Sequence, residues 1–233
     1  EKAGQKCQKA IAKEASAFAN TRMQVMAACM QKQVPGLCPQ AKDTTKIEKA
    51  ADKAGKKINK ACGSEAIAGL GTSYADAPGG DVIQSCTLSQ HTAWTTVLLG
   101  INNGTPGKIV DDEARDKCAK ELSKQGNAYL KSALATMNKC FKAQMKSGTP
   151  GTDVSAACVP SWGTGPPIAP PDTKTASALA TLAENTEKAI AKKCTLTPPT
   201  AGIDSLFACP GAETVEDLQT CIICENQAGA AQL

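Results

Sequence analysis

Cys7-Gln8-Lys9-Ala10-Ile11-Ala12-Lys13 opens the stretch whose reading decides the fold, and Ile58-Asn59-Lys60-Ala61-Cys62 closes it. Ile11, Phe18, Val25, Met26 and Cys29 are spaced mostly by three, four and seven residues. That period predicts a helix with one buried face from about Gly4 to Gln33. Val34-Pro35-Gly36-Leu37-Cys38-Pro39 is a tight corner that no helix crosses. A second helix is expected from Asp43, read as its N-cap, to Cys62. Ile47, Ala50, Ala51, Ala54, Ile58 and Ala61 give it a narrow apolar stripe, and lysines 46, 49, 53, 56, 57 and 60 cover the remainder. An antiparallel hairpin of this kind brings Cys7 to Cys62 and Cys29 to Cys38. Two disulfides are therefore expected at its two ends.

A second copy of the plan follows the Asn102-Asn103-Gly104-Thr105-Pro106-Gly107 breaker. Cys7 and Cys29 are 22 residues apart, and so are Cys118 and Cys140. A shift of 111 superposes Lys9 on Lys120, Phe18 on Tyr129, Met26 on Met137 and Gln33 on Gln144. Ile190-Ala191-Lys192-Lys193-Cys194 repeats the ending of the first hairpin. The expected staples are Cys118–Cys194 and Cys140–Cys158. The corners differ in size: eight residues separate Cys29 from Cys38, and seventeen separate Cys140 from Cys158. The second copy also carries a Pro/Gly-rich arm over 159–171 before a helix over 172–193; Trp162, Pro166, Pro167, Ile168, Pro170 and Pro171 are read as an interaction arm that docks on another subunit or partner. Each copy closes on a shorter helix, near Asp81–Leu99 and Glu216–Leu233. The expected fold is all-α: two tandem disulfide-stapled antiparallel helical hairpins, each with an additional shorter helix and Gly/Pro-rich connectors. The repeats divide as 1–107 and 108–233.

Composition explains the need for staples. Hydrophobic residues make up 42% of the 233, but aromatics only 3%, and alanine supplies much of the apolar share. Alanine favours helix yet buries little area per residue. Twelve cysteines, an even number spread along the chain, fit a disulfide framework formed in an oxidising compartment. The chain begins at Glu1 without an initiator Met, which fits a mature form left after signal removal. The run Val97-Leu98-Leu99-Gly100-Ile101 is too short to cross a bilayer, so no transmembrane segment is expected. The formal net charge is +4, almost all of its basic residues are lysines, and Arg22 and Arg115 are the only arginines. Interspersed lysines without arginine forks argue against nucleic acid as a partner.

The residues Cys7 to Lys13, the Cys38-Pro39 corner, and Lys46-Ile47-Glu48-Lys49-Ala50-Ala51-Asp52-Lys53-Ala54 through Lys60-Ala61-Cys62 resemble the uncharacterised cysteine-rich, Lys/Ala-rich helical repeats of proteins secreted by environmental bacteria. The resemblance covers the first hairpin well and the rest loosely, and the second copy departs from it at the Pro/Gly arm. It implies secretion and repetition. It brings no activity with it.

Cys86, Cys209, Cys221 and Cys224 remain. Cys86 and Cys221 occupy equivalent places, so the preferred pairing is Cys86–Cys221 with Cys209–Cys224, giving about six disulfides in all. The alternative is Cys209–Cys221 with Cys86–Cys224. Cys221-Ile222-Ile223-Cys224 is also the one CxxC, but no βαβ context accompanies it and zinc would need two more ligands. His91 is the single histidine, and neither a triad nor a GxSxG elbow is visible around it. Asp111, Asp112, Glu113 and Asp116 suit a helix start, with one of the first two as its cap. Gly69-Leu70-Gly71 and Gly79-Gly80 lack the setting of a phosphate loop. Asn103-Gly104-Thr105 fits a glycosylation sequon, and the Thr/Pro segments, Thr195-Leu196-Thr197-Pro198-Pro199-Thr200 among them, leave room for glycans.

No catalytic, cofactor or metal constellation is expected from these residues. The expected function is a secreted, non-enzymatic structural protein, extracellular or at the cell surface, that assembles with itself into a filament or surface layer. The alternative is a secreted module binding a small apolar ligand or partner protein. An extracellular redox enzyme using Cys221 and Cys224 stands third.

Overall fold

The computed structural model describes residues 2–31, 38–68, 79–103, 113–149, 151–161, 168–195, 209 and 212–232. These residues form eight helices and no strand. In order they are α1 (Lys2–Met30), α2 (Ala41–Ala61), α3 (Ser64–Ala68), α4 (Gly80–Asn103), α5 (Glu113–Lys146), α6 (Gly151–Cys158), α7 (Thr173–Ala191) and α8 (Val215–Gln232). The fold is all-α. The repeat boundary at 107/108 lies outside the described residues, as do Asp111, Asp112, Gly69-Leu70-Gly71 and Leu196–Thr200.

The four disulfides expected from the cysteine spacing are formed. Cys7 is bonded to Cys62 with the two Cα atoms 4.8 Å apart, and Cys29 to Cys38 at 5.9 Å. In the second half, Cys118 is bonded to Cys194 at 4.6 Å and Cys140 to Cys158 at 5.6 Å. All four sit inside the Cα range a disulfide can span. The fifth bond joins Cys209 to Cys221. The preferred Cys86–Cys221 and Cys209–Cys224 pairs are therefore corrected, and so is a Cys86–Cys224 bond, because Cys86 and Cys224 are free thiols. The chain has five disulfides, not six. Cys86 faces outward on α4 while Cys224 is partly buried on α8, so the equivalence of Cys86 and Cys221 along the chain does not bring their side chains together.

Several local details differ from the sequence expectation. The N-cap of α2 is Gln40, with no side-chain cap, rather than Asp43. The chain turns into helix directly after Pro39, and Asp43 lies in the first turn, where its charge still favours the positive helix end. Asp172, in contrast, caps α7 by accepting a 2.8 Å hydrogen bond from the Thr175 backbone N–H. Two short helices, α3 and α6, fall where only connectors were expected. In α6 this turns the long corner of the second half into a helix of about two turns ending on Cys158.

The helices pack as two groups that share one core. α1 contacts α2, α3 and α4, and α5 contacts α6, α7 and α8. Contacts of α1 with α5, α4 with α5, and α4 with α8 join the groups. The largest apolar cluster combines Met23 and Ala27 of α1 with Leu98 and Leu99 of α4, Tyr129 to Met137 of α5, Leu179 of α7, and Ile223 and Ala230 of α8. Smaller clusters sit around Cys7, Ile58, Cys62 and Ile83, and around Cys118, Leu122, Ile190 and Cys194. The staples thus seal the far ends of a core that both sequence halves build.

Candidate interaction surface on α4

α4, with α1, is a helix through which the two groups meet. Gly80, Ile83, Thr87, His91, Thr95, Leu98, Leu99 and Asn102 are its buried residues, mostly at the three- and four-residue spacing that makes one inward face. The polar members of that face are paired. His91 Nδ1 lies 2.8 Å from the Thr87 carbonyl, which only accepts, so Nδ1 carries the proton. Thr95 is bonded by Arg22 Nη1 at 2.6 Å and donates its own proton to the His91 carbonyl. Arg22 also reaches Thr96, and burial lowers its pKa from the ordinary value. At the helix end, Asn102 and Asn226 of α8 are fully buried and exchange amide hydrogen bonds in both directions. Asn226 also donates to the Ile222 carbonyl at 2.7 Å. A Cβ on Gly126 of α5 would collide with the Asn102 side-chain oxygen, so the glycine is what lets α5 close over this pair. Asn103, the sequon residue, donates to Leu99 O at 3.0 Å and accepts from Ser123.

The outward face of α4 is of a different character. This 24-residue helix carries a single charged residue, Asp81. α2, at 21 residues, carries seven lysines besides its acids. Among the described residues four large hydrophobic side chains are exposed, and three are on α4: Val82 at 41%, Trp94 at 37% and Val97 at 53%. Cys86 is exposed between them, and so is Ala93. At about 100° per residue, Val82, Cys86, Ala93 and Val97 fall within an arc of about 60°, with Trp94 about 60° beyond. Asp81 lies off the stripe. The stripe runs about 22 Å along the helix.

The fourth exposed hydrophobic is Ile168, at 66%, in the Pro/Gly arm. Trp162, Pro166 and Pro167 of that arm lie outside the described residues. Its two ends are not free: Ser161 and Ile168 exchange backbone hydrogen bonds of 3.0 and 2.9 Å. Pro170 is buried, Pro171 is exposed, and the Asp172 N–H is bonded to the Ala157 carbonyl at 3.0 Å. The residues flanking 162–167 are thus bonded to each other, and Asp172 just beyond them is bonded to the end of α6.

The remaining candidate residues are dispersed. Cys221 of the CxxC is engaged with Cys209, and burial, with Glu225 nearby, raises the Cys224 thiol above its ordinary pKa. This is the reverse of the lowered thiol on which a dithiol exchange site depends. Glu113 and Asp116 pair with Lys117 and Lys120 one turn on, at 2.7 and 2.6 Å. Among the described residues no group of three or more His, Cys, Asp or Glu side chains is placed to hold a metal ion. None of the described helices is long and apolar enough to cross a membrane.

The stripe on α4 escaped the sequence reading, which weighed the apolar run at 97–101 only as a membrane span. The signal was present as a lack of lysine and glutamate from Val82 to Asn103, in a chain that is 21% charged. A scan against protein-family models, a search of the curated proteins and a search of the solved structures each found no match.

Proposed function

We propose that the protein is a secreted structural subunit that associates with copies of itself, as in an extracellular filament or surface layer, and that the outer face of α4 is a contact surface. The uncharged stripe of Val82, Cys86, Ala93 and Val97 carries this reading. Exposed apolar side chains concentrated on one charge-free helix face mark an interaction site more than a solvated face. A second copy offers the same face, whose α4 residues bring no like charges together, with Arg22 of α1, bonded to Thr96, beside it. Five disulfides support the extracellular setting, since such bonds persist where the surroundings are oxidising. A two-fold contact on α4 closes on itself, so growth into a filament requires a second contact surface. Ile168, exposed at the neck of the arm, is the other apolar point available among the described residues.

The test is sedimentation velocity over a wide concentration range, with negative-stain microscopy of the most concentrated samples. Association that weakens in Val97→Asp, with helicity retained, supports the proposal. A wild-type protein that stays monomeric throughout contradicts it.

A further inference from the structure

Cys86 adds an observation independent of the apolar stripe. Ten of the twelve cysteines are in disulfides, and of the two that are not, Cys224 is partly buried while Cys86 is exposed. In an oxidising compartment an exposed leftover thiol points to pairing with another chain or to a free reactive thiol. Its neighbours decide between the two. One turn before it on the same face is Val82, and two turns after it is Ala93. A small thiol would leave this stripe in water, whereas a second chain covers it.

We infer that two copies of the chain join through parallel α4 helices about a two-fold axis, with a Cys86–Cys86 disulfide at the centre of the contact. This rests on the proposed self-association and names its surface, its partner and its bond. Val82, Cys86, Ser89, Ala93, Val97 and Gly100 are spaced by four, three, four, four and three residues, the pattern of a seam between two helices. A two-fold axis along the seam sets each of these residues against its own copy. Ser89, Ala93 and Gly100 are small, so the helix axes can approach to about 8–10 Å, the separation at which facing cysteines reach disulfide range. In an antiparallel pairing centred on Cys86, Val97 of one copy would instead pass beyond the start of the other copy's α4. Only the parallel arrangement buries both valines in one seam.

The bond needs an oxidant, and a low-molecular-weight disulfide suffices. A Cys86 thiolate attacks one sulfur of that disulfide, forming a mixed disulfide and releasing one thiol. The Cys86 thiolate of the second copy then attacks the protein sulfur and releases the other thiol. Two protein thiols are oxidised, one small disulfide is reduced to two thiols, and the two protons lost by Cys86 end on the released thiols.

The experiment treats the intact protein with oxidised glutathione and follows it by non-reducing electrophoresis and peptide mapping. The expected product is a species of twice the 24.0 kDa chain mass, containing a Cys86–Cys86 cross-linked peptide. Cys86→Ser should abolish this species, and Cys224→Ser should leave it. In a Cys86→Ser background, Val97→Cys should restore a covalent dimer, because the parallel seam sets position 97 against itself. Both altered side chains are exposed, and circular dichroism confirms folding. A wild-type chain that stays monomeric on the gel, with Cys86 as a thiol or a glutathione adduct, overturns the inference. So does a dimer that survives Cys86→Ser, or failure of Val97→Cys to cross-link. Sedimentation of the Cys86→Ser protein separates the two proposals. If it still associates reversibly while wild type forms no disulfide, only the covalent dimer falls; if neither associates, both fall.

Discussion

At the scale of single residues, the feature that most constrains the molecule is the Asn102–Asn226 pair. Each amide satisfies the other, and both are fully buried where α4, α5 and α8 cross. Removing one strips the other of its buried amide partner, leaving Asn226 only its bond to the Ile222 carbonyl or Asn102 only its 3.3 Å bond to Asn127, a loss of about 1–3 kcal/mol for either alanine variant. Replacing both should cost less than the sum, and a double-mutant cycle by urea unfolding reads this directly. Additive losses would mean that the amides act separately. Tyr129 is the opposite case, a buried phenol whose hydroxyl meets no hydrogen-bond partner among the described residues. Tyr129→Phe should leave the melting temperature unchanged or raise it, by up to about 1 kcal/mol in stability. Burial, then the neighbouring Cys224 and Glu187, push the phenol up from its ordinary value of 10.0 to about 12. The folded state therefore holds this proton more tightly than the unfolded chain. Its contribution is whole below about pH 10 and is lost as pH rises through about 12. Alkaline unfolding of Tyr129→Phe should start at higher pH than that of the wild type. None of this was legible in the sequence, because pairing between residues 102 and 226 depends on how the halves dock and leaves no local pattern.

At the scale of elements, the long helices were legible and their ends less so. The apolar spacing of α1 and α2 points to their buried faces, the 111-residue shift carries that face over to α5, and the recurring cysteine interval points to where the helices pair. Asp43 misled because an Asp in the first turn and an Asp at the cap look alike in sequence, and what decides is where Pro39 and the Cys29–Cys38 bond let the chain enter helix. Asp172, expected at the start of its helix, does cap it. Hydrogen bonding to Thr175 holds its carboxyl below the ordinary value near 3.8. Its charge thus contributes stability above that value and loses the contribution as pH falls through the folded-state pKa. Asp172→Asn keeps a cap oxygen without a titrating charge. It should flatten part of the stability loss as pH falls below the ordinary carboxylate value, seen as circular dichroism melts across pH. Asp172→Ala should instead cost about 1 kcal/mol near neutral pH. An unchanged acid profile in the Asn variant would remove the carboxylate from the account.

At the scale of the whole molecule, staples and shared core divide the work. The Cys7–Cys62 and Cys118–Cys194 bonds close separations of 55 and 76 residues, against 9 for Cys29–Cys38. Chain entropy assigns the long ones about 4 kcal/mol each and the short one about 3 kcal/mol. Replacing both members of a pair by alanine, with denaturant midpoints compared, should rank them in that order. The four hairpin bonds could be read from spacing because an antiparallel hairpin fixes its own ends. The fifth, Cys209–Cys221, stood only in the alternative pairing, because no hairpin fixes which of the last four cysteines meet.

The central claim is that the uncharged face of α4 is where one copy meets another. Sedimentation velocity on Cys86→Ser and on Cys86→Ser with Val97→Asp, matched in concentration and salt, isolates the reversible contact. The coefficient of Cys86→Ser should climb with concentration to that of a dimer or larger, while the Val97→Asp protein stays monomeric with the same helicity. Two proteins that sediment alike, whether both monomeric or both associated, would rule the face out as the contact.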